Sequence, residues 1–193
     1  LLKSLGWTLA GVTWLNPVTR ALARGKQTDN VRMAIIIDDI GQSCKRAREF
    51  MQIDIALTFS ILPHLPYSCK LAEEMNRVGY EVMLHQPMEP FSKTQDHGTG
   101  ALYVGDDPAR ITDVMESNIR NIPHAVGVNN HMGSLLTRKS AAMRWLMQEL
   151  RCFHDLYFVD SRTDMRSVAQ AQAERQILVH RHVGIQGVVL EHH

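Results

Sequence analysis

Five short apolar runs, each stopped by a proline or by polar residues, alternate with helical patterns along this chain of 193 residues. The first, at 33–37, is rich in β-branched residues and stops at Asp38-Asp39. The next, 55–62, stops at Pro63-His64, and 80–84 stops at His85-Gln86-Pro87. The run at 125–128 stops at Asn129-Asn130-His131, and 156–159 at Asp160-Ser161. Their length and lack of alternation are those of strands buried on both faces. Between them the pattern predicts helices at 43–52, 66–78, 107–121, 138–151 and 166–175, with Pro66 in a first turn and Gly79 as a stop. Two shorter strands are expected at 177–180 and 185–189. A β-α unit repeated this often needs a parallel sheet with helical crossovers, either an open doubly wound sheet or a barrel. No GxGxxG follows the first run and no Walker A motif occurs, which disfavours a nucleotide-binding sheet and favours a barrel.

The formal net charge of +1 argues against a general nucleic-acid binder, which needs a clustered basic excess. With 45% hydrophobic and 21% charged residues, the chain has the composition of one globular core rather than of a disordered tail. Residues 1–32 read as a lead-in. Within it 5–15 is apolar apart from two Thr and two Gly, and Ala21-Leu22-Ala23 resembles a cleavage site. An amphipathic helix packed on the domain is preferred there to a signal or anchor remnant, and membrane anchoring is expected through this segment or not at all. Residues 33–189 form the expected domain, and 190–193 read as an expression-tag remnant. Cys44, Cys69 and Cys152 show neither a disulfide nor a zinc-ribbon spacing; Cys44 and Cys69 are expected as buried helical thiols.

Ligands of parallel α/β folds bind beyond the carboxyl ends of the strands. Asp38, Asp39, His85, His131 and Asp160 would all gather there. Each alone has a plain structural explanation: a cap before Gly41, an edge imidazole, a cap for the next helix. Gathered on one edge they suggest a divalent-metal site. Two neighbouring carboxylates repel unless a cation compensates. One Asp oxygen and two imidazoles leave a position for water, and the second Asp can take its proton. Zinc is the first choice, with manganese, cobalt or nickel as alternatives. His64, His97, His124 and His154 read as surface or cap residues, and Met143 and Met147 as core. The 86–106 loop has three Gly and two Pro and is long enough to be functional or mobile. Tyr67, Phe91 and Tyr103 are candidates to line a groove.

The blocks AIIIDDIG (34–41), FSILPHLP (59–66), GYEVMLHQPMEP (79–90), AVGVNNHMGSLLT (125–137) and FVDSRT (158–163) resemble the divergent polysaccharide deacetylase family, over roughly 33–180. This family is distantly related to the NodB-like enzymes. The resemblance implies an irregular (β/α) barrel of about seven strands and the metal-dependent removal of acetyl groups from an N-acetylated carbohydrate of the cell envelope. It implies a periplasmic or otherwise exported protein. By residue, it makes Asp39, His85 and His131 the metal ligands and Asp38 the base. Asp160 joins Asp38 on the catalytic side, and Glu89, Asn130 and Arg162 lie around the substrate. Two departures accompany it. The better-known enzymes carry both histidines on one His-x-x-x-His motif, whereas here they are 46 positions apart. The family's late Gly-His-Pro block, and the late His that protonates the leaving amine, have no counterpart after Arg181. The barrel is therefore expected to be incomplete at its C-terminal end, through truncation or through loss of a segment before the strand-like 184–189. The competing expectation is a non-catalytic carbohydrate- or partner-binding module on the same barrel.

Overall fold

The computed structural model describes residues 33–153, 156–176 and 188–189. The expected lead-in features, the 177–180 strand and the tag remnant lie outside the described residues. Strands β1 (Ile35–Ile40), β2 (Thr58–Ile61), β3 (Glu81–Met88), β4 (Ala125–Met132) and β5 (Tyr157–Val159) form a parallel sheet, extended by the two-residue β6 (Val188–Val189). The order is β5-β4-β3-β2-β1-β6. Helices α1 (Cys44–Phe50), α2 (Ser68–Arg77), α3 (Pro108–Asn121), α4 (Ser140–Leu150) and α5 (Ala169–Arg175) flank the sheet. The architecture is thus α/β. Six strands are described against about seven expected, and among the described residues no pairing joins the outer strands β5 and β6. No described helix is long and apolar enough to cross a membrane.

Capping residues set the helix starts. Ser43 Oγ accepts from Arg46 N ahead of α1, and Asp107 Oδ1 accepts from Arg110 N ahead of α3, where Pro108 occupies the first turn. Helix α2 buries Ser68, Leu71, Ala72 and Met75, a 3-4 stripe that leaves Cys69 facing water. All three cysteines are free, and Cys69 is exposed rather than buried as expected, because it falls off that stripe.

Register decides which residues share a face. Ile36 pairs with Thr58, Ser60 with Met83, and His85 with Asn129. Side chains alternate along a strand, so Ile37, Phe59, Ile61, Val82, Leu84 and Val128 take one face. They belong to a single buried cluster with Leu71, Met75, Met115, Met143 and Leu146 of the helices. The opposite face carries Asp38, Ser60, His85 and Asn129, all buried. Strands β1, β3 and β4 therefore continue past the apolar runs that announced them: backbone pairing carries on while one face turns polar.

The 86–106 loop is pinned rather than loose. Leu102 N donates to Pro87 O (3.0 Å) and Glu89 N to Leu102 O (2.9 Å), which prolongs the β3 ladder. Buried Asn118 of α3 donates to Gln86 Oε1 (2.7 Å) and Gly100 O (2.9 Å).

Candidate metal centre

Asp39 enters the site through a break in its strand. Simple alternation would send it to the face opposite Asp38. The β1–β2 register shifts between Ile37 and Ile40, and Asp39 adopts φ 60°. This left-handed bulge re-aims the carboxylate. His85 on β3 and His131 on β4 share the polar face because Asn129 pairs with His85 and His131 lies two residues further along β4.

The three side chains meet. Asp39 Oδ1 lies 3.0 Å from His131 Nδ1 and 3.2 Å from His85 Nε2, and the two nitrogens are 3.2 Å apart. They form the His/Cys/Asp/Glu group fit to hold an ion among the described residues. Ligands about 2.0–2.1 Å from a tetrahedral zinc stand about 3.3–3.4 Å from one another; octahedral geometry brings neighbours to about 2.9–3.0 Å. The observed triangle needs adjustments of only a few tenths of an ångström for either. A second observation supports the fit. Asp39 Oδ1 is buried and receives no aligned hydrogen bond, despite two ring nitrogens at contact distance. Three donors aimed at a common point give that pattern. One carboxylate oxygen and two imidazoles suit a first-row divalent cation.

The local field is negative. Burial works against charge on Asp39, but the His131 and His85 rings at contact distance outweigh it and hold the carboxyl well below the usual carboxylate range. Burial likewise opposes a charged His85, yet the carboxylates of Asp38 and Asp39 and the Asn129 bond raise its proton affinity overall. The same two carboxylates favour a cation between the rings, which a metal ion would supply by displacing the proton. Asp39 is about one-third exposed (34%) whereas His85 is sealed (3%), so the centre opens on the Asp39 side. A cavity of about 240 Å³ adjoins Asp39 and the start of α1, lined also by Gly41, Gln42, Ser43 and Arg46 but by neither histidine.

Asp38 sits behind the triangle, with Oδ1 accepting from Asn129 Nδ2 (2.9 Å) and 3.7 Å from His85 Nδ1. The other sequence candidates occupy connecting positions. Asp160 follows β5; its Oδ1 accepts from Arg162 N (2.9 Å) and its Oδ2 from Ser167 Oγ (2.7 Å). Asn130 Oδ1 accepts from Ser161 N (2.9 Å), tying β4 to the segment after β5. Glu89 Oε2 accepts from Val104 N (2.8 Å), so this carboxylate anchors the long loop. Arg162 adopts φ 51°. Tyr67, Phe91 and Tyr103 are exposed, and the Arg138 guanidinium lies 4.8 Å from the Phe91 ring centre. His64 is half-buried, its Nε2 2.8 Å from Asn118 Oδ1. Sequence reading assigned no role to Asn129 or Ser60, although both are buried in the site. A serine inside the apolar run Phe59-Ser60-Ile61-Leu62 was the available signal.

Left-handed backbone clusters here as well. Asp39, His64, Met132 and Arg162 have φ of 60°, 60°, 52° and 51°, and each lies at or just beyond the carboxyl end of a strand. Non-glycine residues in this region cost about 1–3 kcal/mol each and persist where their surroundings over-determine them.

Residues 35–186 match the family model described as divergent polysaccharide deacetylase. The chain is 34% identical over 143 residues to the Escherichia coli protein named "Uncharacterized protein YibQ", covering 74% of this chain and 44% of that one. It is 34% identical over 147 residues to an uncharacterized protein of Haemophilus influenzae, covering 75% and 51%. The chain thus spans about half the length of these curated relatives. Among solved structures, an uncharacterized protein from Agrobacterium tumefaciens superposes with a TM-score of 0.70 at 21% identity, covering 76% of this chain and 60% of that one, a likeness of fold.

Proposed function

We propose that this chain, which belongs to the divergent polysaccharide deacetylase family, is a metal-dependent hydrolase that removes the acetyl group of an N-acetylated carbohydrate. The observation that carries the reading is the triangle of Asp39 Oδ1, His85 Nε2 and His131 Nδ1 with a buried carboxylate, Asp38, directly behind it. A divalent cation held by the three donors, zinc by preference, supplies Lewis acidity for water activation and for charge developing on the amide oxygen. Asp38 is the general base: Asn129 holds its Oδ1 and leaves Oδ2 for the proton. Asp160, Asn130 and Arg162 shape the rim around the sugar together with Glu89, which keeps the long loop in place. We read the sheet as part of an irregular barrel. The enzyme works on the cell envelope, in the periplasm or otherwise outside the cytoplasm, and nucleic acid is not its substrate. Any membrane attachment runs through the N-terminal segment.

Acetate release from acetylated chitooligosaccharides and peptidoglycan fragments tests this. A chelator should abolish release, and zinc or manganese should restore it. Asp38→Asn should lower the rate by about 100- to 10,000-fold, the usual share of a general base. If metal-saturated protein releases no acetate from these substrates yet binds them, and binding survives Asp38→Asn, the chain is instead a carbohydrate-binding module.

A further inference from the structure

We propose that Asn129 is a positioning residue that fixes which nitrogen of His85 faces the metal and keeps Asp38 from pairing with His85 directly. The inference rests on the metal-centre reading above. Asn129 is 1% exposed and stands opposite His85 in the β3–β4 register. Its Oδ1 accepts from Ser60 Oγ at 2.5 Å and from His85 Nδ1 at 2.7 Å, and its Nδ2 donates to Asp38 Oδ1 at 2.9 Å. The amide cannot be turned round, because an ionised carboxylate only accepts and so demands the NH₂ side. The carbonyl side therefore faces His85, whose Nδ1 must carry the proton. A neutral imidazole then has its one ring lone pair on Nε2, the atom that faces Asp39 and His131.

The same bond separates two roles. A metal-ligating histidine usually donates its second N–H to a carboxylate or carbonyl. Asp38 Oδ1 is already 3.7 Å from His85 Nδ1 and is the nearby candidate for that partner. Asn129 takes its place, satisfying His85 with a neutral acceptor and holding Asp38 with a donor. Asp38 is thus held by a neutral amide rather than serving as an orienting group for the ligand. Ser60 fills the remaining lone pair of the amide and locks its plane.

Three variants test the two ends of the amide. Asn129→Leu removes both, so zinc affinity by calorimetry should fall about 10- to 100-fold, the usual effect of losing an outer-shell partner. Long-range ¹H–¹⁵N NMR of histidine-labelled protein at alkaline pH should show His85 as a single Nδ1–H tautomer in the wild type and as a mixture in Asn129→Leu/Asp38→Leu, where Asp38 cannot take the place of the amide. Asn129→Asp keeps the acceptor for His85 but sets a second carboxyl against Asp38, so the buried pair holds one proton between them and Asp38 is spoiled as a base. It should retain the tautomer and the zinc affinity while losing acetate release. Circular dichroism establishes that each variant folds. An unchanged His85 tautomer in the folded double variant overturns the proposal, whether or not zinc binds. Wild-type protein that binds no zinc refutes the metal reading and leaves the tautomer comparison to decide this one.

Discussion

Asp39 does two difficult things at once: it holds a left-handed backbone and buries an oxygen without an aligned donor. Both costs are intelligible if a cation completes the site, so each ligand should matter to metal binding more than to folding. Asp39→Asn keeps the shape and removes the charge; His131→Ala removes one of three donors. Either should weaken zinc binding by at least about 100-fold, more than a typical outer-shell loss, with the circular dichroism spectrum unchanged. Zinc titration by calorimetry checks this, and wild-type affinity in both variants would sink the centre. The ligand types were legible in the sequence because each interrupts or follows an apolar run. The bulge that turns Asp39 was not, since nothing in Asp38-Asp39-Ile40 sets its φ apart from any strand end. Asn129 was equally hidden: a polar residue beside Asn130 and His131 reads as an edge group until the register places it opposite His85.

The apolar runs stop short of the ends of β1, β3 and β4 for a related reason. An apolar run marks where both faces are buried in hydrocarbon, whereas β3 and β4 go on to Met88 and Met132 with one face given to the site. The alternation of strand and helix is legible all the same, because crossovers depend on element order and not on the last residue of each element. Two element-scale predictions follow from close packing. Gly127 of β4 faces Tyr157 of β5, and a Cβ there would lie 2.7 Å from the phenol ring. Gly127→Ala should destabilise by about 1–3 kcal/mol through overpacking, measured as a lower denaturant midpoint with unchanged m-value. Asn118 joins α3 to the long loop and to His64. Asn118→Ala strands Gln86 Oε1 and leaves Gly100 O with one donor fewer, so it should cost about 1–3 kcal/mol. In a domain of this size that corresponds to about 2–4 °C of Tm for each kcal/mol. A scanning-calorimetry Tm equal to wild type would mean that the loop is held some other way.

At the scale of the whole molecule, the centre draws on β1, β3 and β4, strands separated in sequence by helices and by the long loop. No short segment carries the ligand set, and the unfolded chain has no reason to assemble it. Metal affinity should therefore belong almost wholly to the folded state and add to its stability. Zinc at about 100 times its dissociation constant adds about 2.7 kcal/mol, which corresponds to a Tm rise of about 5–11 °C for a domain of this size. Chelator should reverse the rise, and Asp39→Asn should abolish it while shifting the metal-free Tm far less. Differential scanning fluorimetry across a zinc titration reads all three. A wild-type Tm that ignores zinc would mean that the three donors, though in contact, serve only one another. A rise that persists in Asp39→Asn would place the bound ion elsewhere. The gain specific to the intact triangle therefore separates a metal centre from a polar cluster that happens to close a sheet edge.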